Sequence, residues 1–293
     1  MSGNNKKIYI LGSTGFLGGA CADYLSKKGY FVVTNRVDVV EYGLLRNKFK
    51  VVRPDVVINF AGIRAYPTID WCEDHKEETV RVNVGGAINV MLAAIECGAY
   101  PIQISSGCVY SGGPEHAFTE DDEPNFYGSF YSRMRIVLQK TLAELPVLYT
   151  RIRMPMSSTS HARNFIDKIA SYQKVISIPN SVTLIEDLWP TLERLIQIRA
   201  TGILNLTNEG FVEHDEVLNA YKQFVNPDHT YQRISLEDLE GPEGITKAKR
   251  SNCVLSMDKA KSLGISMPPL TEKKLKEIMV RYKSSLQANQ LVS

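Results

Sequence analysis

The sequence predicts an α/β fold, a parallel sheet covered by helices on both faces, and three observations predict it. Short apolar runs alternate with amphipathic stretches through the first half of the chain. A glycine-rich turn, Gly12-Ser-Thr-Gly15-Phe-Leu-Gly18, separates the first apolar run from the first helical pattern. After Pro155 the alternation loosens, and from about Tyr231 the chain carries more Pro, Gly and charge, as a smaller lobe made of discontinuous pieces would.

The elements follow in order. Lys7–Leu11 is a β-rich run, and Phe16–Lys28 is helical up to Gly29, a usual C-terminal stop. Tyr30–Thr34 and Asp55–Phe60 read as strands, Val80–Cys97 as a helix, Pro101–Ser105 as a strand, Phe130–Leu145 as a helix and Val147–Arg153 as a strand. Beyond Pro155, Asn164–Tyr172 looks helical, Lys174–Pro179 extended and Glu186–Ala200 helical, and Gly202–Thr207 returns to the sheet.

Composition excludes several function classes. The chain has 293 residues, 44% hydrophobic and 23% charged, with a net charge of +2, which argues for neither a nucleic-acid partner nor an acidic membrane surface. The polar stretch Met1–Lys7 lacks the apolar run of a signal peptide, and no stretch nears the ~18 consecutive apolar residues that span a bilayer. Cys21, Cys72, Cys97, Cys108 and Cys253 are scattered without a Cys-x-x-Cys pair, and the histidines show no ligand spacing. Neither a disulfide framework nor a metal is expected, and a cytoplasmic location is.

Placed between a strand and a helix, the turn containing Gly12, Thr14, Gly15, Phe16, Leu17 and Gly18 has a mechanism. Glycine permits the tight backbone, and a pyrophosphate can sit on the helix N-terminus, where unpaired N–H groups and the helix dipole favour anions. This predicts a Rossmann-type doubly wound parallel sheet for residues 1–155, with a return of 200–225, and a mostly substrate-binding, discontinuous smaller C-terminal lobe for 156–293. After the second strand, where an acid would bind the ribose 2′-hydroxyl of NAD, stand Thr34-Asn35-Arg36. A guanidinium suits a 2′-phosphate, so the expected cofactor is NADPH, with a solvated loop arginine as the competing account of Arg36.

The glycine turn, Asn59-Phe-Ala61-Gly62, Ser105-Ser106 before Val109-Tyr110, and Tyr131-Ser-Arg-Met-Arg135 together resemble the extended short-chain dehydrogenase/reductase family. The resemblance implies that Asn59, Ala61 and Gly62 line the cofactor, Ser106 holds a substrate carbonyl and Tyr131 exchanges its proton. It also implies a lysine one helical turn after the tyrosine. Arg135 stands there instead, on the same helix face and still cationic, but bulkier and unable to release a proton.

A closer resemblance runs through Thr68-Ile-Asp70-Trp71-Cys72-Glu73-Asp-His75-Lys76, Gly107-Cys108-Val109-Tyr110, Pro124-Asn-Phe-Tyr-Gly128-Ser-Phe-Tyr131-Ser132, Arg151-Ile-Arg153-Met-Pro155, Arg163-Asn164-Phe165-Ile166, Ile178-Pro179-Asn180-Ser181 and Arg250-Ser251-Asn252. These segments look like the C-terminal part of plant rhamnose synthases, the bifunctional UDP-4-keto-6-deoxy-D-glucose 3,5-epimerase/4-reductase. The resemblance implies a UDP-sugar substrate, a separate 4,6-dehydratase upstream that makes it, Cys108 and Lys168 as the acid/base pair for C3 and C5, and Arg163, Asn164, Arg250 and Asn252 around the UDP-sugar. Family reductases often dimerise, so a homodimer is an open expectation. Without the resemblance, Cys108 reads as a small core residue, Lys168 and the arginines as solvated, Trp71 as packing and Asn83 as a backbone-paired asparagine. Two alternatives stay open: a dTDP-4-dehydrorhamnose-type reductase without epimerase activity, and a non-catalytic NADP-binding subunit like the regulatory subunit of methionine adenosyltransferase.

Overall fold

The computed structural model of the chain describes residues 5–63 and 68–292. They divide into two units, one of Met1–Val109, Glu123–Arg151 and Trp189–Leu204, the other of Tyr110–Asp122, Ile152–Leu188 and Asn205–Ser293. The sheet of the first unit has six strands: β1 (Lys7–Leu11), β2 (Phe31–Val33), β3 (Val56–Asn59), β4 (Tyr100–Ser106), β5 (Leu148–Ile152) and β6 (Gly202–Asn205). Their spatial order is β2-β1-β3-β4-β5-β6. β1 pairs in parallel with β2 on one side and β3 on the other, and β3 pairs in parallel with β4. The order therefore turns outward in both directions beside β1, the switch point at which open α/β sheets bind ligands beyond the strands' carboxyl ends. All of β3 and all of β4 except Ser106 are buried, as parallel strands under two helix layers require.

Helices α1 (Phe16–Lys27), α2 (Tyr42–Val52), α3 (Ala87–Glu96) and α4 (Phe130–Ala143) belong to this unit. Tyr9 and Leu11 of β1 join Leu45 and Phe49 of α2, Val90 and Met91 of α3, and Leu138 and Leu142 of α4 in one core cluster. Tyr9 and Phe49 meet edge to face at 5.2 Å. Helix α2 escaped the sequence reading because its first residue follows Glu41, which caps nothing, and only Leu45 and Phe49 mark its buried stripe.

The expected helix Val80–Cys97 is not uniform. An α-turn at Lys76–Val80 passes into a π-helical turn at Arg81–Gly86 before α3. Adjacent glycines, Gly85 and Gly86, weaken the α form here. Gly86 also packs where a side chain could not, since a Cβ would lie 2.6 Å from Val39 Cγ2. The wide turn carries Asn83 inward, 2% exposed, and its Nδ2 donates to the Ile63 carbonyl at 2.9 Å.

In the second unit are α5 (Phe165–Ala170), the start of α6 (Ile185–Ile198), α7 (His214–Phe224) and α8 (Glu272–Val292). Met156, Phe165, Ile166 and Ile169 pack with Val217 and Leu218 of α7 and with Leu275, Ile278, Met279 and Tyr282 of α8. Two short parallel pairs add to it, Ala117–Phe118 with Val254–Leu255 and Lys174–Val175 with Gln232–Arg233.

The expected division is 1–155 with a return of 200–225, and a discontinuous lobe over 156–293. Tyr110–Asp122 goes with the second unit, and Trp189–Leu204 returns to the first. Of 200–225, only Gly202–Asn205 joins the sheet, while α7 packs its apolar stripe in the second core. Amphipathic periodicity announces that a helix buries one face but not which core receives it. Among the described residues, no helix is long and apolar enough to cross a membrane.

Candidate active site

The glycine turn sits at the carboxyl end of β1. Gly12 has φ +73°, and a Cβ on it would lie 2.6 Å from the Ala61 amide nitrogen. A Cβ on Gly18 would lie 2.3 Å from the Gly12 carbonyl oxygen. The turn thus folds against itself and against residue 61 with no space for side chains. Ser13 Oγ donates to the Thr34 carbonyl at 3.3 Å and Tyr9 Oη to that of Asn35 at 2.7 Å, so the same strand end holds the segment carrying the exposed Asn35 and Arg36. Helix α1 opens at Gly15 with no capping side chain and no acid in its first turn. Thr14 and Gly15 are exposed, and Phe16 and Leu17 half-buried, at this positively polarised end.

At the neighbouring strand end, Asn59 is fully buried. Its Nδ2 donates to Gln103 Oε1 at 2.8 Å and its Oδ1 accepts from the Ala61 amide at 2.9 Å, shaping the turn that presents Ala61 and Gly62. A Cβ on Gly62 would lie 2.9 Å from Asn83 Oδ1 and 3.8 Å from an Arg135 Nη. Asn83 Oδ1 and Arg135 Nε are both buried with no hydrogen-bond partner. Buried orphan polar atoms beside a glycine are costly on their own and fit an incoming hydroxyl-bearing group such as a cofactor ribose. The glycine cradle, the open helix terminus and these two atoms agree with a dinucleotide site.

Tyr131 and Arg135 lie one turn apart on α4, both buried, with the guanidinium over the tyrosine ring at 4.8 Å from its centroid. Burial opposes the charge of Arg135. The hydroxyls of Tyr131 and Tyr149 more than offset it, and the guanidinium pKa is raised from its ordinary value. Tyr149 is a partner that sequence reasoning missed: its hydroxyl lies 2.6 Å from Ser105 Oγ and donates to the Arg135 carbonyl at 3.3 Å. Burial pushes the Tyr149 phenol up, against the pull of Arg135 and Ser105. Only a fold that sets β4 and β5 side by side beneath α4 assembles this group, and no local motif marks it.

Ser106 ends β4, half-buried. Its Oγ accepts from the Cys108 amide at 3.1 Å, which fixes the hydroxyl oxygen while its hydrogen can point to a ligand. Cys108 is half-buried on the loop that follows.

The other expected residues lie in the second unit. Lys168 is half-buried on α5. Asn164 is the N-cap of that helix and is fully buried. Its Oδ1 accepts from the Ile166 and Ser157 amides, and its Nδ2 donates to the carbonyls of Ser157 and Thr159. With its polar groups so engaged, it shapes the loop that carries the half-buried Arg163. Asn252, also buried, accepts from Asn180 Nδ2 at 2.9 Å and donates to the Arg250 carbonyl at 3.2 Å. Asn180 also accepts from the buried Arg153 guanidinium, which donates to Ser251 Oγ at 3.0 Å. Arg250 is half-buried and donates to the Ala248 carbonyl at 2.6 Å. Among the described residues, no group of three or more His, Cys, Asp or Glu could hold a metal ion.

A glycine cradle at the switch point of a parallel sheet, with a serine at the end of β4 and a tyrosine–cation pair on α4, defines an extended short-chain dehydrogenase/reductase. More narrowly, the chain belongs to the RmlD substrate binding domain family, whose model matches residues 6–284. It is 33% identical over 289 residues to the bifunctional dTDP-4-dehydrorhamnose 3,5-epimerase/dTDP-4-dehydrorhamnose reductase of Arabidopsis thaliana, covering 96% of this chain and 93% of that protein. It is 34% identical over 284 residues to a trifunctional UDP-glucose 4,6-dehydratase/UDP-4-keto-6-deoxy-D-glucose 3,5-epimerase/UDP-4-keto-L-rhamnose-reductase of the same plant, covering 94% of this chain and 41% of that protein. The chain thus spans about two fifths of the length of that trifunctional relative. The crystal structure of a UDP-rhamnose synthase from Acanthamoeba polyphaga mimivirus matches with a TM-score of 0.88 and 29% identity, over 95% of this chain and 100% of that chain.

Proposed function

We propose that the chain is an NADPH-dependent enzyme that inverts C3 and C5 of UDP-4-keto-6-deoxy-D-glucose and reduces its 4-keto group, giving UDP-L-rhamnose. The observation that carries this reading is the buried Tyr131 phenol under the Arg135 guanidinium, a proton donor whose conjugate base has a cation within reach. The relatives' epimerase and reductase names supply the substrate class.

The Gly12–Gly18 turn and the α1 terminus bind the pyrophosphate, Arg36 meets the 2′-phosphate, and Asn83 and Arg135 offer their free polar atoms to the ribose beside Gly62. When bound, NADPH supplies the hydride for C4. Ser106 donates its hydroxyl hydrogen to the C4 oxygen as charge develops there, and Tyr131 delivers the proton, with Arg135 stabilising the tyrosinate. The 4-keto group acidifies the hydrogens on C3 and C5, and Cys108 and Lys168 serve as the acid/base pair that removes one proton and returns another from the opposite face. Arg163 and Arg250 hold the diphosphate. A 4,6-dehydratase supplies the substrate, the working unit is a homodimer, and the scattered spacing of the five cysteines, with no Cys-x-x-Cys pair, fits a reducing, cytoplasmic setting.

NADPH oxidation with UDP-4-keto-6-deoxyglucose in deuterated water, followed by NMR of the product, tests the reading. UDP-L-rhamnose carrying deuterium at C3 and C5 is expected. A D-configured, unlabelled product would leave a reductase without epimerase activity, and NADPH binding without turnover would leave a binding subunit.

A further inference from the structure

The first turn of α4 carries Tyr131 as its second residue, where helices fray unless their N–H groups find partners. The local cap, Ser129, satisfies one: its Oγ accepts from the Ser132 amide at 3.1 Å. The amide just before Tyr131, that of Phe130, is taken from far away in sequence. It donates to Glu73 Oε1 at 2.5 Å across 57 residues. The other oxygen, Oε2, lies 3.7 Å from an Arg133 Nη, and Glu73 is only 21% exposed there. One carboxylate therefore grips residues 130 and 133, with Tyr131 between them.

The turn that supplies Glu73 is itself braced. Trp71 and His75 stack at 3.9 Å with planes 3° apart, and the His75 amide donates to the Trp71 carbonyl at 3.1 Å. Cys72, fully buried in the same turn, is near enough to act on the Arg135 charge. A negative carboxylate at a helix N-terminus is also well placed against the dipole. The short Trp71–Asp74 turn thus grips the start of α4 through Glu73, beside Tyr131, and lies near Arg135 through Cys72.

We infer that Glu73 is a positioning residue for the reduction, a clip that holds the start of α4 so that the Tyr131 phenol is aligned to deliver its proton. The inference rests on Tyr131 being the proton donor. A displacement of about 1 Å at a reacting group costs on the order of 10²-fold in rate. Glu73→Ala should lower kcat for NADPH oxidation by about ten- to hundredfold, leave the NADPH dissociation constant within about twofold and raise hydrogen exchange at the Phe130 amide. Glu73→Gln retains an oxygen acceptor at the same reach and should recover most of the rate, whereas a loss of general stability would spread across kcat, KM and cofactor affinity alike.

The experiment compares wild type, Glu73→Ala, Glu73→Gln and Tyr131→Phe for kcat, KM, NADPH affinity and amide exchange, well below the unfolding temperature. A loss in Glu73→Ala that is confined to kcat and rescued by Gln, with Tyr131→Phe inactive, supports the clip. Unchanged kcat in Glu73→Ala, with Tyr131→Phe inactive, overturns the clip and leaves the proton-donor assignment standing. Equal loss of cofactor affinity in Glu73→Ala overturns it in favour of a structural role. Full turnover by Tyr131→Phe overturns the assignment and the clip with it.

Discussion

Arg135 cannot give up its proton at any working pH, so its service to Tyr131 is purely electrostatic and steric. Arg135→Lys should keep the charge and retain turnover within about tenfold, whereas Arg135→Met removes the cation from a buried tyrosine and should cost about 10²-fold in kcat, read from NADPH oxidation. His214 makes a separate point about stability. It is 8% exposed, packs edge to face on Phe165 at 5.4 Å, and has its pKa lowered to about 4 by burial, with Asp215 pulling the other way. The folded protein prefers neutral His214, whereas the unfolded chain takes up its proton near the ordinary value of 6.5. The resulting stability is whole above pH 6.5 and drains away as pH falls toward 4, a loss of about 3 kcal/mol at ~1.4 kcal/mol per unit. Denaturant melts of wild type and His214→Gln between these pH values should converge as pH falls; parallel curves would assign the acid loss elsewhere.

At the scale of elements, the glycine turn is set by backbone contact. Gly18→Ala would place a Cβ 2.3 Å from the Gly12 carbonyl, and since neither atom is the end of a flexible side chain, the turn must open. NADPH affinity, measured by the fluorescence of the bound nicotinamide, should fall at least about tenfold, because the amides that meet the pyrophosphate would move. The π-helical turn at Arg81–Gly86 is the second such device. Asn83→Ala leaves the Ile63 carbonyl without its Nδ2 donor, a loss of about 1–3 kcal/mol if that oxygen stays buried. Calorimetry should show a lower Tm for this variant, and the NADPH KM should rise with it.

Over the whole molecule, the proposed roles are divided between the units. Ser106, Cys108, Tyr131 and Arg135 belong to the first and Lys168 to the second. Lys168→Met should therefore leave NADPH affinity unchanged while deuterium uptake at C3 and C5 falls about 10²-fold, and Cys108→Ala should do the same, because each inversion needs both members of the pair. Loss of uptake at one carbon only would show that the two residues divide the inversions between them.

The fold class and the cofactor cradle were legible in the sequence because they are local. Alternating apolar runs specify strands and helices, and three glycines at fixed spacing can be explained by their own backbone contacts. The family resemblance singled out Tyr131 and Arg135, and helical periodicity then put them on one face. What only the tertiary structure decided depends on residues far apart in the chain: Tyr149 beneath Arg135, Glu73 at the Phe130 amide, and Asn164 turned to capping. The unit boundary was decided there too, because Trp189–Leu204 groups with the first unit whereas α7 packs in the core of the second. A side chain's pattern says that it must be buried, and only the packed chain says against what.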